Sequence, residues 1–286
     1  MKRIYFGDGV NKDLKKIIKF TSSFAYRAFP KLTLNASYKV LTNPFGKRDV
    51  IFQSLRPSEE FQTSTDLGNI HVYKFLGGDK HILLVHGWAD NVSCFMELIN
   101  SLLKEGYTVW AFDQIGHGKS DGNRSHLFGF IDGLHSVINE INIRGHELHG
   151  ILAHSMGGAS VLNLEQDRLD HLKVILISMP AEFFEDMFHK LESIGLSKSV
   201  LHGLLEDVSK DYDKSWKDLH PRNHREKTGE HILFIHDKDD RFCKYNHVKN
   251  YLETSSSKLH TTTGLGHRRI LRDNNVIEEV LGFLKD

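Results

Sequence analysis

Between Gly150 and Leu162 the chain reads GILAHSMGGASVL, an apolar run that ends at Ser155 and passes through two glycines into a helical pattern. A serine on so tight a strand-to-helix turn has its hydroxyl pushed clear of the backbone. Small residues two positions before and after it let the turn close. Ala153 and Gly157 stand there. A serine hydroxyl is a weak nucleophile, so attack on a carbonyl needs a base to take its proton and a carboxylate to orient that base. The candidate base is His267 in TTTGLGHRRIL (261–271), which follows two glycines after the last strand pattern. Candidate acids are Asp237, Asp239 and Asp240, in the loop after HILFIH (231–236). Attack also builds negative charge on the former carbonyl oxygen, which calls for fixed donors. The backbone N–H of Met156 is one candidate, and that of Trp88, in HGW (86–88) after the strand pattern HILLV (81–85), is the other.

These residues need a frame that brings strand ends together. Apolar runs without polar alternation occur at 82–85, 107–112, 148–153, 173–177 and 231–235, with a shorter, threonine-rich run at 258–263. Helical patterns separate most of them, at 92–104, 132–143, 157–166, 246–253 and 273–285. Two further extended runs in 61–78 flank Leu67-Gly68-Asn69 and read as a hairpin. Buried strands alternating with helices predict an α/β fold with a mainly parallel sheet covered on both faces. Every candidate then sits at the C-terminal edge of a strand, where open α/β sheets build sites.

One gap, Met179 to about Glu230, is too long for a single helix and predicts a helical cap at 181–228. Its first helix carries Phe183, Phe184, Met187, Phe188, Leu191 and Ile194. Phe183, Phe184 and Met187 are candidate substrate contacts, with packing between cap and body as the alternative. Residues 1–45 read as a helical extension, with Val10, Leu14, Ile17, Ile18 and Phe24 on one side and Lys12, Lys15, Lys16 and Lys19 on the other. Packing on the domain body with solvated lysines is the simpler reading; lying on an anionic membrane is the other.

Composition narrows the function classes. The 286 residues carry 37 Lys+Arg against 37 Asp+Glu, with no long basic block, which argues against nucleic acid as a partner. Cys94 and Cys243 cannot make a disulfide framework. No run approaches ~18 consecutive apolar residues, and the first residues lack the apolar stretch of an export signal, so a cytoplasmic protein without integral membrane association is expected. Cys94 opens a helical pattern with Phe95, Leu98 and Ile99 and reads as a buried thiol rather than a nucleophile. His220/His224 and His146/His149 have ligand-like spacings, but Pro221 disfavours a helical pair in the first, and no cluster completes either. No metal or cofactor is therefore expected. His86 is expected to shape its loop. The glycines of DQIGHGKS (113–120) lack the spacing of a phosphate cradle and are expected to shape the rim of the site.

HGW (86–88), DQIGHGKSDG (113–122), AHSMGG (153–158), HDKDD (236–240) and GLGHRRIL (264–271) occur in the order seen in a known family. The chain resembles α/β-hydrolase-fold serine hydrolases, near the bacterial branch grouped with esterases, monoacylglycerol lipases and serine aminopeptidase-like proteins. The resemblance implies an eight-stranded, mostly parallel sheet in one domain over 1–286. It also implies Ser155 as nucleophile, His267 as base, and N–H groups of Trp88 and Met156 as oxyanion donors. Among the acids it selects Asp240, the last residue of a His-Gly-x-x-Asp pattern in which Asp237 replaces the glycine. Hydrolysis of small carboxylic esters is the implied activity. An amidase, aminopeptidase or thioesterase would use the same residues, and a non-catalytic binding protein on this fold is the reading from a different class.

Overall fold

The computed structural model describes residues 11–44 and 46–285. In chain order the elements are helices α1 (Lys12–Ala28) and α2 (Pro30–Leu41), strands β1 (Glu59–Thr65), β2 (Gly68–Phe75) and β3 (Lys80–Val85), helix α3 (Met96–Lys104), strand β4 (Tyr107–Asp113), helix α4 (Leu127–Ile143) and strand β5 (Leu148–His154). Helices α5 (Met156–Val161) and α6 (Gln166–Asp170), strand β6 (Lys173–Ile177), and helices α7 (Phe183–Ser193) and α8 (Lys198–Lys210) follow. The chain continues through strand β7 (Ile232–Asp237), helix α9 (Tyr245–Tyr251), strand β8 (Lys258–Thr262), the one-turn α10 (Gly266–Arg269) and α11 (Asn274–Lys285).

The eight strands form one sheet in the order β1-β2-β4-β3-β5-β6-β7-β8. β1 with β2 and β2 with β4 are antiparallel, and the remaining pairs are parallel. The apolar runs are explained by cover on both faces. Leu83, Val85 and Ile151 point toward Leu134, Val137 and Ile141 of α4, with Val248 of α9 in the same cluster. Their neighbours Ile82, Leu84 and Leu152 point toward Leu98 and Ile99 of α3 and Val276 and Val280 of α11. Successive side chains thus enter opposite cores, and neither face is left for polar residues.

Element limits differ from the sequence expectation where local chemistry intervenes. The hairpin turns one residue earlier than expected, at Asp66–Leu67, and pairs Thr65 with Gly68. Gly68 has φ +129°, and a Cβ there would lie 2.8 Å from that of Asp121. Helix α4 begins at Leu127 rather than 132, capped by the His126 ring, which accepts the Gly129 N–H at 3.1 Å. The helix expected over 157–166 stops at Val161 and resumes as α6.

The segment expected as a cap comprises α7, α8 and 3-10 turns at Trp216–Leu219 and Pro221–Lys227. The N-terminal extension is two helices rather than one. Pro30 opens α2 because proline fits the first turn of a helix and not its interior. Val10 lies outside the described residues. The helices lean on the segment expected as a cap: the Lys15 carbonyl and Ile18 approach Gly195, and the Tyr26 ring approaches Gly203 of α8. No residue of α1 or α2 is fully buried.

Candidate active site

Ser155 joins β5 to α5 with φ 53° and ψ −126°, a backbone conformation that a residue with a side chain rarely adopts. Its N–H donates to the Ile177 carbonyl at 3.0 Å, which pins the turn to the next strand. A Cβ at Gly157 would lie 2.5 Å from the Val85 carbonyl oxygen, and one at Gly87 would lie 2.7 Å from the Ser155 Cβ. Two glycines therefore let the loop after β3 and the serine turn meet. Ala153 is fully buried and pairs with Val85 on one side and Leu176 on the other.

His267 is carried on α10, reached through Gly264 (φ 79°) and Gly266 (φ 64°). Its Nε2 lies 3.0 Å from Ser155 Oγ and its Nδ1 lies 2.8 Å from Asp240 Oδ2. The carboxylate accepts, so Nδ1 carries the proton and Nε2 is left to accept from the serine hydroxyl. Asp240 is buried, and its Oδ1 accepts the N–H groups of Phe242 (2.8 Å) and Cys243 (3.0 Å). Burial opposes its charge. The hydrogen bond from His267, attraction to that ring and the two N–H groups together outweigh burial and hold the carboxyl below its usual range.

The other two acids serve the loops. Asp239 accepts the Gly264 N–H at 2.8 Å. Asp237 accepts from Asp239 N–H, Thr262 Oγ1 and Leu265 N–H at 2.9, 2.7 and 3.0 Å, and so ties the end of β7 to the end of β8. The three acids are consecutive or nearly so, but only Asp240 meets the histidine.

The N–H groups of Met156 and Trp88 make no hydrogen bond with the described residues. The loop bearing Trp88 is held by neutral imidazoles. His86 donates from Nδ1 to the Gly87 carbonyl (2.7 Å) and accepts the Gln114 N–H at Nε2 (2.9 Å). His117 accepts the N–H of Ala89 at 3.1 Å, where φ is 56°. Burial pushes the His117 pKa down to about 3, so this acceptor persists near neutrality.

Three positioning residues escaped the sequence reading. Arg268 donates from Nη2 to both carboxylate oxygens of Asp90, at 2.7 and 2.6 Å, which ties the Trp88 loop to the turn carrying His267. His154 donates from Nε2 to the His267 carbonyl at 2.8 Å, and burial keeps it far below the usual histidine range. Adjacency to Trp88, His267 and Ser155 was the available signal.

A cavity of about 250 Å³ opens on Ser155 beneath α7 and α8. Phe183, Phe184 and Met187 line it, as do Trp88 and Met156. Its far wall is Leu201, Leu204, Leu205 and Val208 of α8, a stripe whose 3–4 spacing was legible but not singled out. Phe188 instead stacks on His202, with ring centres 4.8 Å apart. Asp186 reaches the wall but is engaged by His247 at 3.1 Å and Lys244 at 3.8 Å.

Cys94 is buried, and burial raises its thiol pKa well above the usual value. The histidine pairs diverge. His220 meets Glu185 (2.5 Å) while His224 meets Asn163 (3.0 Å). His146 meets Lys74 (3.2 Å) while His149 meets the Leu284 carbonyl (3.0 Å). Among the described residues two groups of three ligand-type side chains converge: Asp240, Cys243 and His267, and Glu182, Glu185 and His220. In the first, His267 and Asp240 already bond each other. In the second, the Arg222 guanidinium pairs with both glutamates, so a cation would have to displace it.

Residues 78–213 match the family model described as serine aminopeptidase, S33. Human monoglyceride lipase is 27% identical over 113 residues, covering 38% of this chain and 37% of that protein. A non-heme chloroperoxidase of Kitasatospora aureofaciens is 30% identical over 93 residues, covering 31% and 32%. The aligned region spans about a third of the length of these curated relatives. An esterase of Pyrococcus furiosus superposes with a TM-score of 0.64 at 18% identity, over 84% of this chain and 98% of that one. An esterase of Exiguobacterium antarcticum gives 0.57 at 18% identity, over 80% and 100%. Sheet order, strand-end turns and these likenesses agree: the chain has the α/β-hydrolase fold, and its residues 78–213 are similar to the serine aminopeptidase, S33 family.

Proposed function

We propose that the protein hydrolyses carboxylic esters through an acyl-serine intermediate, with Ser155 as nucleophile, His267 as base and then acid, and Asp240 as the orienting carboxylate. The observation that carries this reading is the hydrogen-bond relay from Ser155 Oγ to His267 Nε2 (3.0 Å) and from His267 Nδ1 to Asp240 Oδ2 (2.8 Å). As Oγ attacks the ester carbonyl, Nε2 takes its proton, and the ionised Asp240 stabilises the imidazolium that forms. The oxyanion accepts hydrogen bonds from the N–H groups of Trp88 and Met156, which cost little reorganisation because none of the described residues holds them. His267 returns its proton to the leaving alcohol as the C–O bond breaks. It then takes a proton from water as that water attacks the acyl carbon, and hands the proton to Ser155 Oγ as the acyl C–O bond breaks, which releases the acid and restores the free enzyme.

The apolar wall built by Phe183, Phe184, Met187 and α8 favours an ester with an extended apolar acyl chain. We treat 1–286 as one catalytic domain, with 181–228 as its cap and 1–45 as its extension. Amide cleavage is the second reading, favoured by the description of the matched family. A free amino terminus would need a carboxylate inside the cavity, and the Asp186 carboxylate is committed to His247 and Lys244. Hydrolysis of p-nitrophenyl esters of increasing acyl length, beside aminoacyl anilides and an acyl thioester, tests the assignment. Ester turnover that improves with chain length supports it. Cleavage of anilides or of the thioester alone would replace it, and inertness to all three would point to a binding protein.

A further inference from the structure

We propose that α1 and α2 form a docking face for an anionic lipid bilayer, seated beside the cavity under the cap. Helix α1 uses one edge to lean on the cap. Lys15 and Ile18 approach Gly195, Tyr26 approaches Gly203, and Ser22 Oγ accepts the Ser197 N–H at 3.3 Å. The opposite edge is apolar and faces outward. Ile17 is 58% exposed, Phe20 73% and Phe24 62%, at i, i+3 and i+7 of one helical face, and the two rings stack 6.5 Å apart. Phe29 and Leu32, at the break into α2, are also 61% and 68% exposed. Large apolar side chains exposed together in this way mark interaction surfaces.

Charge selects the partner. Between Asn11 and Pro44 stand Lys12, Lys15, Lys16, Lys19, Arg27, Lys31 and Lys39 against one acid, Asp13, in a chain whose totals balance at 37 and 37. Lys12, Lys16 and Lys19 are exposed and run as a stripe alongside Ile17, Phe20 and Phe24. Aromatic side chains flanked by a cationic stripe suit the boundary between acyl chains and anionic headgroups. An interfacial helix sinks its apolar face ~5–10 Å there, and each lysine near the surface adds to the attraction. A second copy of this chain fits worse, because a twofold contact would set two cationic patches against each other. No described helix is long and apolar enough to cross a membrane, so the association is with the surface.

The C-terminal end of α2 reaches the cavity. α2 ends at Leu41, and Leu41 and Thr42 lie on the cavity wall. Docking would therefore hold the cavity beside the layer in which water-insoluble amphiphiles reside.

Sedimentation of the purified full chain with vesicles tests this without any turnover, so it stands apart from the ester-hydrolysis assignment. Wild-type protein is expected to bind mixed phosphatidylglycerol and phosphatidylcholine vesicles, and to be released by salt. The pair Phe20→Ser, Phe24→Ser should weaken binding about tenfold or more, and so should Lys12→Glu, Lys16→Glu, Lys19→Glu. Both variants should keep the unfolding temperature and the turnover of a short soluble ester. The proposal is overturned by no binding of the wild type, by equal binding to pure phosphatidylcholine, or by variants that bind like the wild type. A lipid-free dimer that the phenylalanine substitutions disperse would also overturn it, making a second copy the partner.

Discussion

Around Ser155 position is set by hydrogen bonds that each admit one geometry, whereas around Phe184 it is set by apolar contacts that admit many. Asp240 is gripped by two backbone N–H groups, and His117 props the Ala89 turn. The cap instead meets the body through rings and leucines, as where Tyr212 stacks on Phe128 with ring centres 4.5 Å apart and Phe184, Leu204 and Val208 cluster with Leu127 and Met156. Directional bonds fix a reacting geometry, while dispersion and burial fix a volume. Substitutions at the strand ends should therefore change the rate by orders of magnitude, and those in the cap should redistribute preference among substrates.

The largest effect belongs to Asp240→Asn, which leaves His267 without a partner that enforces its tautomer. On the proposed mechanism kcat on a short p-nitrophenyl ester should fall on the order of 10⁴-fold, with the unfolding temperature little changed. Normal turnover, or a comparable loss in Asp239→Asn alone, would reassign the acid. Next comes Gly87→Ala. Its methyl would sit 2.7 Å from the Ser155 Cβ and force the two turns apart. A misplacement approaching 1 Å costs about 10²-fold, so kcat should drop by that order while the protein stays folded. An unaffected rate would mean that the turns are less tightly coupled than described.

In the cap the expected effect is smaller and selective. Leu204→Trp fills the cavity wall, so kcat/KM for long acyl esters should fall about tenfold while a two-carbon ester is unaffected. A parallel loss on both would show that this wall shapes the reacting centre itself.

The mildest test is acid sensitivity of the fold, and it spans both regions. Burial pushes His117 to about 3 and His126 to about 4 and keeps His154 far below its usual value. In the unfolded chain these groups take up protons near pH ~6.5, while in the folded chain His117 resists to about 3 and His126 to about 4. The unfolded state binds more protons across that window. The stabilisation is thus complete above pH ~6.5 and declines as pH falls toward 4. Urea unfolding at several pH values should show that decline, and His126→Gln should flatten part of it. A stability independent of pH between about 7 and 4 would contradict the buried, neutral assignment.

The same contrast explains what could be read from the sequence. The sheet was legible because covering both faces leaves each inner strand a run of Val, Ile and Leu. The serine turn was legible because its backbone demands small neighbours, met by Ala153 and Gly157. The Asp90–Arg268 pair was not, since its members lie 178 positions apart and nothing local marks either one. Nor was the use of Leu201, Leu204 and Leu205, because a leucine that packs and a leucine that lines a cavity look alike in a sequence. The N-terminal helices were legible as amphipathic, but their outward apolar face depended on which edge the cap took.

Reaction with a fluorophosphonate tests the central claim most directly, because it needs only an activated serine and no chosen substrate. The adduct should map by peptide mass spectrometry to Ser155, and His267→Ala should slow its formation by about 10²–10⁴-fold. An adduct on another residue, or an undiminished rate in the His267 variant, would contradict the account.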